Sequence, residues 1–307
     1  MGAPITVGVD GFAESPPAAH WAAREALLRD LRLRLIHAWN PPSPPAPALP
    51  HEDDPSYWSQ RLLADLVDEL RDTHPGLRVS AELVPRETVP ALLDAARDAE
   101  MLVLGSSGRD TPGGFLLGST GRQILAHGVH PVIMVHADDQ PLTADVTVGV
   151  SLRQPNEEAL RFAFDAAARR GGVLRAVHAG ASGSGHGEAV RREGAAGHEE
   201  AVRHEEAAGH REAVRHEEAA GDEEGAGAEG ALEAALRPWR ERYPGVPVAE
   251  ALTSERPALG VVHTAPGSGL LVLGRDETEP GPVPHLGSVI HAAVHHAPCP
   301  VAVVPRG

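Results

Sequence analysis

The residues best suited to chemistry lie in "GSSGRDTPGGFLLGST", residues 105–120, where five glycines separate the apolar run "MLVL" from the helix-like "GRQILAHG". Two residues stand between Gly105 and Gly108 and nine between Gly108 and Gly118, which directly precedes Ser119 and Thr120. A glycine-rich strand-to-helix segment presents backbone N–H groups with no Cβ in the way, at the positive end of the helix. That geometry suits a chain of phosphates. Glycine at the strand end lets a ligand approach the backbone, and the Ser119 and Thr120 hydroxyls either cap the helix or donate to phosphate oxygens. Asp10, ending "ITVGVD", is the one strand-end carboxylate aimed at the same place; its plainer role is to cap the following helix. Arg109 either neutralises phosphate charge or is a solvated loop arginine. Alone, such a loop is more often just a turn.

The elements that must position these residues occur twice. "ITVGVDG" opens one half and "VTVGVSL", residues 146–152, opens the other, each a strand-like run followed by a helical pattern, "AAHWAAREALLRD" or "EEALRFAFDAAARR". Second strands "LRLRLIHAW" and "GVLRAVHA", third strands "LRVSAELV" and "VPVAEALT", and fourth strands "MLVLG" and "LLVLG" follow in the same order, with "HPVIMV" and "CPVAVV" closing the halves. Near-continuous apolar strands alternating with helices predict a mostly parallel sheet covered on both faces. The expected fold is therefore two tandem α/β sandwiches, each a five-stranded Rossmann-like sheet. The polar stretch "HADDQPLTAD" places the boundary between residues 1–138 and 144–307. Ligands of such sheets bind beyond the carboxyl ends of the strands, where Asp10 and the glycines fall.

Composition excludes several alternatives. The net charge is -16, and all 27 basic residues are arginine, so a nucleic-acid partner held by phosphate contacts is not expected. Without lysine there is no Walker phosphate loop and no Schiff-base nucleophile. The one cysteine, Cys299, excludes an intrachain disulfide and fits a small buried hydrophobe in a reducing cytosol. No apolar run approaches the roughly 18 residues of a membrane helix, and "ITVGV" follows the N-terminus without a signal-peptide layout, so a cytoplasmic protein with no membrane partner is expected.

Two segments fall outside the repeat: the proline-rich "NPPSPPAPALPHEDDPS" in the first half and, at the same place in the second, a low-complexity insert of about residues 181–230. The insert contains three 12-residue units, "HGEAVRREGAAG", "HEEAVRHEEAAG" and "HREAVRHEEAAG", over residues 186–221. At about 100° per residue, successive units rotate by about 120° and keep no common apolar face. Residues 186–230 hold 13 acidic residues against 5 arginines, a net of -8 and half the charge of the chain. His198, His204, His210 and His216 recur every six residues, about 240° on a helix, which scatters their imidazoles instead of gathering them around a metal.

Gly-x2-Gly-x9-Gly-Ser after a fourth strand, with "VGVDG" ending the first and "HPVIMV" as the fifth, resembles the universal stress protein family. The resemblance covers both halves, as a tandem protein with an enlarged insert. It implies an adenine nucleotide alpha hydrolase-like fold and bound ATP, with or without Mg, as the cofactor. Carried over residue by residue, it implies Asp10 beside the nucleotide, Gly105, Gly108, Gly118 and Ser119 on ribose and phosphates, and backbone near His37 and Ala38 against adenine. The function implied is a regulatory, stress-response binding module and not an enzyme. Slow ATP hydrolysis at the same site, a nucleotide-free dimerisation module and a different adenine nucleotide remain the alternatives.

The second half departs from that pattern. Gly274 and Gly287-Ser288 keep the 13-residue separation of Gly105 and Gly118, but Glu277 replaces the second glycine and Ser151 replaces Asp10. A carboxylate aimed at a phosphate site repels it, and Asp276 and Glu279 add to the negative field. The second half is thus expected to bind no nucleotide and to serve as an internal pseudo-dimer partner, with a homodimer of whole chains also open. His291 and His295, at i and i+4 before Cys299, superficially resemble a zinc cluster; histidines in a last helical turn more simply stabilise its dipole. No GxSxG, HExxH or CxxC motif supports a hydrolase, metalloprotease or redox enzyme.

The insert carries too few large hydrophobes to offset an ordering cost of about 1–2 kcal/mol per residue. Deleting residues 186–221 should leave the melting temperature within about 4 °C of the parent, roughly 1 kcal/mol or less in a chain of this size, and leave ATP affinity unchanged. A large loss of either, by calorimetry, would mean that the repeats dock on the sandwich.

Overall fold

The computed structural model describes residues 2–40, 55–106, 118–136, 143–180, 227–276 and 286–306. The first half runs β1 (Ile5–Gly8), α1 (Ser15–Arg29), β2 (Leu33–Trp39), α2 (Pro55–Thr73), β3 (Val79–Pro85), α3 (Thr88–Arg97), β4 (Met101–Ser106), α4 (Ser119–His127) and β5 (Val132–His136). The second repeats the order: β6 (Val146–Gly149), α5 (Glu157–Arg170), β7 (Leu174–Ala179), α6 (227–242), β8 (Val248–Thr253), α7 (Pro257–Thr264), β9 (Leu270–Arg275), α8 (Ser288–His296) and β10 (Val301–Pro305).

The two expected five-stranded sheets are joined edge to edge into one sheet of ten strands, ordered β3-β2-β1-β4-β5-β10-β9-β6-β7-β8. Each half is parallel throughout, and the single antiparallel contact is β5 with β10, where Val132, Ile133 and Met134 face Val303, Ala302 and Val301. β5 and β10 each carry four consecutive buried apolar residues. Left unpaired, either would be an apolar sheet edge, and each covers the other. The chain reverses strand order between β1 and β4 in one half and between β6 and β9 in the other, so each half has one crevice at its carboxyl end.

Helices α1, α2, α5 and α6 cover one face, α3, α4, α7 and α8 the other, and a continuous apolar core lies on each side. Local sequence explains the helices. Prolines at the start of α1 fix φ where no helical N–H partner exists, and Asn156 caps α5 by accepting from Ala159 N at 2.9 Å. The segment "ALEAALRPWRERYPG" makes up most of α6 and its following turn: Leu232 and Leu236 are fully buried, and Trp239 and Tyr243 stack on Phe164. Its counterpart α2, just after the proline-rich segment, buries Leu63, Leu66, Val67 and Leu70 at helical spacing. Each such leucine contributes about 1.5–3 kcal/mol. Cys299 is buried ahead of β10, as expected of a small hydrophobe.

Charges lock the seam on both faces. Glu25, only 2% exposed, accepts from Arg29 of its own helix at 2.7 Å and from Arg170 at the end of α5, also at 2.7 Å. Arg29 also reaches Asp165 of α5 at 2.8 Å. On the opposite face Arg275, ending β9, donates to the terminal carbonyls of α4: to Leu125 O at 2.9 Å, to Ala126 O and to Gly128 O at 2.7 Å. A guanidinium from one half thus satisfies the orphan carbonyls of a helix in the other.

Candidate functional site

The first-half crevice is framed by the β1–α1 loop, the end of β4 and the start of α4. Asp10 organises the loop: its Oδ1 accepts from Phe12 N at 3.0 Å and from the Ser15 hydroxyl at 2.7 Å, while its own N–H donates to Ser15 Oγ at 3.1 Å. It does not cap α1, whose N-cap position is Glu14 with no side-chain cap. The carboxylate is exposed, and among the described residues Oδ2 has no hydrogen bond. His37, half-buried at the end of β2, donates from Nδ1 to Val9 O at 2.7 Å and ties β2 to the turn ahead of Asp10. A carbonyl only accepts, so the proton sits on Nδ1 and Nε2 is left as acceptor. Ala38 follows it, half-buried.

The two glycines that lie within the described residues answer different demands. A Cβ on Gly105 would fall 2.7 Å from Glu14 O, so the close approach at this position is by the chain's own β1–α1 loop, not by a ligand. A Cβ on Gly118 would meet no atom of the described residues within 4 Å. With φ -59° and ψ 164°, Gly118 also needs no glycine-specific backbone. It is the N-cap of α4, which has no side-chain cap and no acidic residue in its first turn, so the first N–H groups and the neighbouring Ser119 and Thr120 are offered outward. Capping of this helix by Ser119 or Thr120 does not occur. Gly108 and Arg109 lie outside the described residues.

Sequence reasoning missed Ser106. Its side chain is 3% exposed, and its Oγ has no hydrogen-bond partner among the described residues. Ser106 and Ser107 are both serines of "GSSG", and only the pleat of β4, which turns Ser106 inward on the α4 face, distinguishes them.

The second-half crevice repeats the frame but not its fittings. His178 donates from Nδ1 to Val150 O at 2.9 Å, duplicating His37, and Gly274 is pressed against Asn156 as Gly105 is against Glu14. Ser151 is exposed in place of Asp10. Asp276, expected to add negative field, is paired with Arg306 at 3.0 Å, and Arg306 also donates to Gln154 O at 2.9 Å, tying the end of β9 to the β6–α5 loop. Glu277 and Glu279 lie outside the described residues.

The family model for the universal stress protein family matches residues 1–136 and again 144–305. The chain belongs to the universal stress protein family. It is 33% identical over 310 residues to a universal stress protein of Mycobacterium tuberculosis, covering 97% of this chain and 96% of that protein. A universal stress protein of Mycolicibacterium smegmatis is 32% identical over 311 residues, covering 98% and 96%. Among solved structures, a universal stress protein of Archaeoglobus fulgidus superposes with a TM-score of 0.64 at 16% identity, covering 99% of this chain and 97% of that one, a likeness of fold.

In this universal stress protein the tandem halves also bring histidines together across the seam. His136, buried at the end of β5, hydrogen-bonds through Nε2 to Val294 O of α8 at 2.9 Å. His291 and His295 on α8 stack with ring centroids 4.3 Å apart. Burial, then the charges of His291, His296, Arg122 and His136, hold the His295 pKa below the usual imidazole value. Among the described residues no group of His, Cys, Asp or Glu is arranged to hold a metal, and no helix is long and apolar enough to cross a membrane.

A lowered histidine pKa means the unfolded chain binds the proton more readily, so His295 contributes stability that is fully present above about pH 6.5 and lost as pH falls below it. His74, lowered by burial and then by His20 and Arg24, acts in the same direction. The urea midpoint should therefore drop between pH 7.5 and 5.5, and less steeply in His295→Gln. An equal slope in both proteins would remove His295 from the account.

Proposed function

We propose that this universal stress protein is a regulatory binding module that holds one adenine nucleotide, ATP, in its first half. In this reading residues 1–138 form the nucleotide-binding domain and 144–307 its internal partner. The observation that carries it is the start of α4: an uncapped helix N-terminus, free of acidic residues, behind a glycine whose missing side chain leaves open space. Such an end binds phosphate through oriented N–H groups and needs no lysine, which this chain lacks. Gly118, Ser119 and Thr120 would hold phosphates from the helix side, with Gly108 and Arg109 completing the loop, and the unengaged Oδ2 of Asp10 would face ribose or a Mg ion. Gly105 contributes by fixing the crevice wall, and His37 and Ala38 border the adenine. The site offers N–H donors but no assembled base and nucleophile, which favours binding over turnover; slow hydrolysis remains the second activity to assay.

The second half serves as a packing partner. The antiparallel β5–β10 contact supplies within one chain what a second subunit would otherwise supply. Arg306, Gln154 and Asp276 lace its crevice, and Ser151 offers no carboxylate.

Gly118→Val tests the assignment without disturbing the fold, because the backbone there suits any residue and the added Cβ meets no atom. ATP affinity should fall by roughly 100-fold or more, about 2.8 kcal/mol, with an unchanged melting temperature. Parental ATP affinity in the variant would show that the phosphates lie elsewhere.

A further inference from the structure

At the opposite end of the sheet from the nucleotide crevice, a cavity of about 220 Å³ opens along the seam between the halves. Its walls come from α1 (Trp21, Arg24, Leu28), from Thr143 and Ala144 leading into β6, and from Arg170 at the end of α5. Trp21 is 2% exposed and belongs to the core, and the Arg170 guanidinium lies 5.7 Å from the centre of its ring. One side of the cavity is therefore a fixed indole wall, extended by the half-exposed Leu28.

The other side carries two guanidiniums, Arg24 and Arg170, and one carboxylate, Glu25. Glu25, also on the wall, is already shared by Arg29 and Arg170, and Asp165 by Arg29 and Arg169. Asp145, beside Ala144, is engaged by Val173 N at 3.0 Å. Arg170 spends Nη2 on Glu25, and its buried Nε–H has no partner among the described residues. Arg24 stands at the rim with no ion pair or hydrogen bond among the described residues, and its pKa is lowered by desolvation and then by the Arg170 charge. Two like charges held together are stabilised by an anion that bridges them.

We propose that this seam cavity binds a small organic acid, its carboxylate or phosphate bridging Arg24 and Arg170 and its short apolar body lying against Trp21 and Leu28. A volume below the usual range for drug-sized ligands restricts the body to about one ring. Because the walls come from both halves, the bound acid fastens α1 to α5 and stabilises the tandem arrangement. The site is independent of the nucleotide crevice.

Equilibrium dialysis of the full chain with benzoate, in saturating ATP so that the first-half crevice is filled, tests this directly. One saturable benzoate per chain is expected, with benzyl alcohol, which has the ring but no charge, failing to compete. Arg24→Gln leaves the ion pairs of Glu25 with Arg29 and Arg170 intact, so it should fold and bind ATP as the parent does while weakening benzoate by roughly tenfold or more. Absence of saturable binding, equal binding of benzyl alcohol, or undiminished binding by Arg24→Gln would each overturn the proposal. So would binding that appears only when Asp138 and Asp139 are changed to asparagine, which would mean that the chain's own linker carboxylates fill the cavity.

Discussion

Three residue pairs between β5 and β10 join two parallel half-sheets into one, and the rest of the molecule is arranged around that antiparallel contact. Both strands are apolar on both faces, so neither tolerates exposure as an edge. Once they pair, α1 is brought against α5 on one face and α4 against the end of β9 on the other. Glu25 is buried between two arginines, a charge intolerable alone, and the half-buried Arg275 satisfies carbonyls that α4 cannot satisfy itself. Removing one member of such a set strands the others, at a cost of about 3–5 kcal/mol for a buried pair. Seam and halves should accordingly fold and unfold as a unit.

The seam also holds together two similar crevices with different fittings. Each half carries the switch point, the histidine latch and a strand-end glycine pressed against the start of its first helix, α1 or α5. Those shared features are architectural. What differs lies at the crevice mouth: Asp10 against Ser151, and in the second half the contacts of Arg306 with Asp276 and Gln154. Duplication preserved the frame because the single sheet needs both copies, and left the fittings of one copy free to change.

The duplication was legible because strands buried on both faces read as apolar runs, and two series of five in the same order are hard to produce otherwise. The family resemblance rests on the Gly-x2-Gly-x9-Gly-Ser spacing of the first half with "VGVDG" and "HPVIMV" around it, and the family model matches both halves. The seam was not legible. "VIMVH" and "VAVVP" look like any other buried strands, and nothing local says that each is the other's neighbour. Glu25 and Arg29 read as an ordinary surface i, i+4 pair until α5 arrives, and Arg275 as a loop residue. Gly105 and Gly118 are indistinguishable by spacing, yet one glycine accommodates Glu14 and the other leaves open space, a distinction set by tertiary contact.

The central claim is that this frame presents one working nucleotide crevice per chain, at the start of α4 in the first half. Calorimetric titration of the full chain with ATP tests it most directly, run beside Asp10→Asn and Ser151→Asp variants. One site per chain, weakened by Asp10→Asn and unaffected by Ser151→Asp, is the predicted result. Two sites of similar affinity, or one that ignores Asp10, would contradict it.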